Sequence, residues 1–402
     1  SGRISGTGGL SKATSATSTL TLSGDDNYSG ITTISAGTLK VGSSTALGTG
    51  AISVSSGAVL DLNGQTTAIT SGNLALNGTG ITSGGALSNS SSTGATYAGL
   101  VSLTGTSSIV AGTGSIALSN IGTISGAFSL TLGGAAGGSV TSILGNGTGS
   151  LTKQDAGTWT LTGTNTYTGG TTISGGSLVI SGAGTLGSGS YAGAIANNAT
   201  LQYSSSAAQT LSGAISGTGT LIKDTSSTLT LSGTNTYTGN TNINAGTLKI
   251  GNGGTIGSIA SASAISIASG ATLAYNLSSG AAPTNAISST TTGSGTIANA
   301  YTAGASAPNV ILDLSGADLS SFSGTYSTYI NEATATPARA SIKLGTSPNL
   351  TGATFNVVTS GYKPAFANLT GVTWTGAATG TPSLKANGIA MTSGVMGLGV
   401  TL

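Results

Sequence analysis

The sequence predicts an all-β chain, a right-handed parallel β-helix, and three observations carry that prediction. Leu, Ile, Val and Ala alternate with Thr, Ser and Gly at strand-like spacing and do not collect on helical faces. Thr favours strands because its branched β-carbon packs on a pleated surface, while 69 glycines in 402 residues, together with frequent Asn, permit closely spaced turns. The chain also repeats itself at a fixed interval, as stacked solenoids do.

The two clearest copies run from Leu151 through Lys153, Trp159, Leu161, Gly163, Asn165 and Tyr167 to Gly169, and from Leu221 through Lys223, Leu229, Leu231, Gly233, Asn235 and Tyr237 to Gly239. They lie about 70 residues apart. An earlier copy runs Leu20-Thr-Leu22-Ser-Gly24-Asp-Asp26-Asn-Tyr28-Ser-Gly30, a worn one sits at Thr96-Tyr97-Ala98-Gly99, and a divergent one leads from Leu312 to Phe322-Ser-Gly324. After each well-kept Tyr-x-Gly comes a second strand phrase, Ile34 to Val41, Ile173 to Ile180 and Ile243 to Ile250. A third follows, as in Ile52 to Leu60 and Ile265 to Leu273. Three phrases per unit give about 23 residues per phrase, the size of one solenoid coil. Residues 1–302 are then the repeat β-helix, a rod of roughly 13 coils and ~60 Å at the inter-strand spacing. Its inward side chains include Leu22, Ile34, Leu39, Leu161, Ile173, Leu178, Leu231, Ile243 and Leu248.

These phrases resemble the autotransporter-associated β-strand repeat, also called the passenger-associated transport repeat, of secreted bacterial β-helix proteins. Copies cover roughly residues 6 to 330. The resemblance implies the fold and export to the surface or medium of a Gram-negative-type bacterium. It leaves function open, because such repeats occur in passengers of many kinds. The translocator barrel that usually follows such a passenger is not accommodated by the roughly 70 residues after 330, so it is cleaved off or export uses another route.

Composition excludes several function classes. The formal charge is +2 with no basic run, which removes the electrostatic attraction that nucleic-acid binding requires. No apolar stretch is long enough for a transmembrane helix, and the opening Ser1-Gly2-Arg3 lacks a signal-peptide core, so an exported chain is expected in processed form. His and Cys are absent, so the usual general base, thiol nucleophile and soft metal ligands are missing, and neither a cofactor nor a metal is expected. Eight carboxylates remain: Asp25, Asp26, Asp61, Asp155, Asp224, Asp313, Asp318 and Glu332. Polysaccharide-cleaving β-helices need facing acids or an acid-held Ca²⁺ ion. Only Asp25-Asp26 is a visible pair; neighbours in an extended chain point to opposite faces, and Asp26 aligns with the turn residues Asn165 and Asn235. The expectation is therefore no enzyme. Lys12, Lys153 and Lys223 recur at one repeat position and are read as stacking or solubilising residues. Tyr28, Tyr167 and Tyr237 are read as wall positions packing on the neighbouring coil, with a sugar-stacking platform as the alternative.

The texture changes near 303: five of the six prolines lie at or beyond Pro308. Residues 303–402 are read as divergent terminal coils or a β cap, and as a possible assembly region. A surface of Thr, Ser, Asn and Gly with few charges repels its own copies weakly. This favours an extracellular structural protein that polymerises head to tail with itself. Ile4 and Leu10 would form the contact at one end, and Met396, Leu398, Val400 and Leu402 at the other. The alternative is a monomeric adhesin or carbohydrate-binding passenger that meets cell-surface or host glycans.

Overall fold

The computed structural model describes residues 2–66, 69–70, 72–254, 256–259, 263–277, 290–300, 310–314, 316–331, 338–346, 351–360, 372–375, 383–386 and 389–390. The chain forms two compact units, Ser1–Ala207 and Ala208–Leu402.

In the first unit, short strands pair in parallel with the strand one coil further on. Leu10–Lys12, Thr32–Ile34, Ile52–Val54 and Leu74–Gly78 form one ladder, with Leu10 opposite Thr32, Thr32 opposite Ile52 and Ile52 opposite Leu74. Thr19–Leu22, Gly37–Val41, Ala58–Asp61 and Leu87–Asn89 form another. A third runs Ala95–Tyr97, Ile116–Leu118, Gly138–Val140, Thr158–Leu161, Ser177–Gly182 and Thr200–Ser205. Partners lie about 20 to 27 residues apart, one circuit of a solenoid. Parallel neighbours need such a circuit, because a tight hairpin can only return antiparallel.

The second unit repeats this plan. Leu221, Thr241, Ile265 and Thr291 stand in register along one ladder. On another, Thr228, Thr247, Thr272, Thr296, Thr325 and Thr354 stack on the outward side. That parallel ladder passes the expected boundary near 303, pairing Thr296 with Thr325 and Asn299 with Thr328. What changes beyond it is the appearance of antiparallel pairs, Ile330 with Arg339 and Lys385 with Ala390.

Alternation along each strand fixes which side chains meet. Thr32–Ile34, Thr171–Ile173 and Thr241–Ile243 each run buried, half-buried, buried. All nine residues expected inside are buried: Leu22, Ile34, Leu39, Leu161, Ile173, Leu178, Leu231, Ile243 and Leu248. Each full burial stabilises by about 1.5–3 kcal/mol, and stacking like on like keeps the interior filled. Among the described residues there is no α-helix, only the 3₁₀ turns Ile81–Ser83 and Gly187–Gly189, and no helix long and apolar enough to cross a membrane.

Candidate functional site

The repeated lysines are inside the solenoid, which fits the stacking and not the solubilising of the two roles expected of them. Lys153 is fully buried, and its ammonium donates to the carbonyls of Gln154 at 2.7 Å, Asp155 at 2.8 Å and Gly175 at 2.9 Å. Lys12 donates to the carbonyls of Thr14 at 2.6 Å and Ala36 at 2.9 Å and to Ser18 Oγ at 2.8 Å. Lys223 donates to the carbonyls of Asp224, of Thr225 at 2.8 Å and of Ala245 at 3.2 Å. The last-named acceptor for Lys153 and Lys223, and Ala36 for Lys12, belongs to the next coil, directly before a glycine at positive φ: Gly37, Gly176 and Gly246. Lysine and glycine thus form one device that gathers turn carbonyls a buried corner would otherwise leave unpaired. Burial lowers the Lys153 ammonium to about 8, opposed by the Asp155 carboxylate, and lowers Lys223 likewise against Asp224.

The asparagines are equally committed. Asn165 Oδ1 accepts from the Leu144 amide at 2.9 Å, while its Nδ2 donates to the carbonyls of Gly163 and Thr185, both at 2.9 Å. Asn235 repeats this with Ile215, Gly233 and Ser258. Asp26, at the same repeat position, is buried and accepts from the Ile4 amide at 2.7 Å, whereas Asp25 is exposed. The pair therefore faces opposite ways.

Tyr28, Tyr167 and Tyr237 are buried. Their hydroxyls meet Thr32 at 2.5 Å, Thr171 at 2.8 Å and Thr241 at 2.8 Å. Tyr167 also packs edge-on against Tyr191 at 5.4 Å. Burial raises all three phenols, Tyr237 to about 12. None of these three rings is open to a sugar. The remaining acids are dispersed. Asp61 is buried, accepts from Asn63, Ser90 N and Ser90 Oγ, and lies 3.9 Å from Lys40. Asp155 and Asp318 are exposed, Asp224 is half-buried, and the side chains of Asp313 and Glu332 lie outside the described residues. No three such groups gather as a metal site among the described residues.

Ile4 is 36% exposed, with its amide and carbonyl bonded to Asp26 and Asn27. Leu10 is half-buried in a strand paired with Thr32–Ile34. Met396, Leu398, Val400 and Leu402 lie outside the described residues.

What is left for function is the outside of the solenoid. There the strand residues are mostly Thr, Ser, Asn and Ala, with Lys40, Val179, Gln202, Ile222 and Lys249 among them, and in the second unit a groove of about 150 Å³ opens on this side. Asn242, Ser266 and Thr292 stand in register on three successive coils. Asn240, Ala264 and Thr290 precede those strands and form the second row, and the backbone of Ile265, whose side chain is buried in the core, runs between the rows. Sequence reasoning did not find this groove.

Comparison with known proteins agrees with the repeat. The passenger-associated-transport-repeat family matches residues 17–41, 151–180 and 221–250. The adhesin BmaC autotransporter of Brucella suis biovar 1 (strain 1330) is 46% identical over 88 residues, which is 19% of this chain and 2% of that protein. This chain thus spans a small part of that relative's length. No solved structure matches. The chain is a parallel β-solenoid that carries passenger-associated transport repeats.

Proposed function

We propose that this chain is a secreted or surface-displayed passenger region of a Gram-negative-type bacterium, adhesive and not catalytic, whose lateral faces contact carbohydrate. One observation carries this reading. Lys153, Asn165, Tyr167 and their repeat equivalents are spent on holding coils together, so the surface available to a partner carries few charges and is rich in hydroxyls and amides. Such a surface exchanges hydrogen bonds with water for bonds of similar strength with a polyol, giving weak contacts that add up when many copies engage. The similarity to an adhesin supports the same reading. Head-to-tail fibre formation, the other reading of the sequence, relies on contacts from Met396, Leu398, Val400 and Leu402, outside the described residues, and no observation favours it over lateral display.

The test displays the whole chain on cells or beads and measures retention under flow on surfaces coated with neutral glycans or with albumin. Retention on the glycans alone is expected. Equal retention on both, or none, overturns the proposal, and turnover of pectins, glucans or peptides by the purified chain overturns its non-catalytic part.

A further inference from the structure

The groove sits where the repeat is broken on its outer side only. Gly239-Asn240-Thr241-Asn242-Ile243 corresponds to Gly30-Ile31-Thr32-Thr33-Ile34 and Gly169-Gly170-Thr171-Thr172-Ile173. The inward Thr and Ile are kept in all three copies, and both outward residues become asparagine in this one. Coil stacking does not account for that change, because the same backbone ladder forms in the other copies with Ile31 and Thr33 or with Gly170 and Thr172.

The polar groups of the groove are also unspent. The side chains of Asn240, Asn242, Ser266 and Thr292 have no hydrogen-bonding partner among the described residues, in contrast to the buried Asn165 and Asn235. Thr290 makes a long contact, 3.4 Å, to Asp318.

We propose that this groove is a subsite for a neutral saccharide of about two linked pyranose rings, which specifies the ligand of the adhesive reading and rests on it. Length comes from register: three coils at about 4.8 Å spacing set Asn242, Ser266 and Thr292 over about 10 Å. Chemistry comes from the lining. Carboxamides and hydroxyls both donate and accept, as the vicinal hydroxyls of a sugar require. The half-buried Ala264 methyl offers an apolar contact to the C–H face of a ring. Among the described residues no cation lines the groove to hold a phosphate or sulfate, and the Asp318 carboxylate beside Thr290 repels an anionic sugar.

The probes are lactose, cellobiose and chitobiose, with sialyllactose as the anionic counterpart. Binding is read from the side-chain amide NMR signals of Asn240 and Asn242 in the full chain. At least one neutral disaccharide should shift those signals, and the Asn242→Ala/Ser266→Ala variant, altered only at outward positions and read from the Asn240 amide it retains, should bind it about tenfold more weakly. Absence of any shift, binding of sialyllactose alone, or equal binding by the variant overturns the subsite. The flow assay separates this result from the adhesive reading. Retention that survives in the variant leaves adhesion standing without this groove, and sugar binding without retention leaves the groove standing without adhesion.

Discussion

Lys153 shows how a fully buried ammonium is accommodated with carbonyl oxygens as its hydrogen-bonding partners. An ammonium carries three donors, and here three carbonyls take them, two from its own turn and one from the next coil. Lys153→Ala removes the donors and leaves three buried acceptors unpaired as well as a cavity, for a loss of roughly 2–4 kcal/mol in urea unfolding. The pH response has a defined sign. The folded value of about 8 lies below that of free lysine, so the unfolded chain binds the proton more tightly and stability rises as pH climbs from about 8 towards the free-lysine value. Lys223 contributes in the same direction. Unfolding midpoints across that window should increase for the natural chain and less so for Lys153→Met; a fall would show that the carbonyls hold the charged form more firmly than burial disfavours it.

At the scale of a single coil, the corner is decided by backbone shape. Gly176 has φ +59, and a β-carbon added there would lie 2.3 Å from the carbonyl oxygen of Gly157. Neither feature can relax without moving the carbonyl that receives Lys153. Gly176→Ala should therefore cost about 2 kcal/mol or more, with faster hydrogen exchange in the adjoining strands Leu151–Lys153 and Ser177–Gly182. Gly57 is a matched control: its φ is +80, but nothing lies within 4 Å of an added β-carbon. Gly57→Ala should cost only about 1 kcal/mol, the left-handed backbone penalty alone. Equal losses at the two sites would assign the whole effect to φ and none to the close approach of coils.

For the whole molecule, charge contributes little. Lys40 and Asp61 form the one ion pair among the described residues, at 3.9 Å. Cohesion rests on backbone ladders and stacked Leu, Ile and Val, which salt does not screen. Raising sodium chloride from 10 mM to 0.5 M should shift the thermal midpoint by less than about 3 °C. A larger drop would reveal ion pairs that matter outside the described residues. The same scarcity of charge gives the lateral faces their neutral character, which the proposed adhesion exploits.

The residues themselves determine much of this protein. Period-2 alternation and recurrence every ~70 residues are local facts, and they suffice to set Leu22, Ile173 and Leu248 inside and to turn Asp25 away from Asp26, because a strand has only two sides. The fate of Lys153 and the existence of the groove were decided by tertiary structure. A lysine that recurs with the repeat reads as a stacking or a solubilising residue, and only the stacked turn of the next coil supplies the carbonyls that make its burial tolerable. Asn242, Ser266 and Thr292 lie far apart in the chain, in coils of unequal length. They converge because pairing register, a property of the assembled ladder, sets which residues become neighbours across coils.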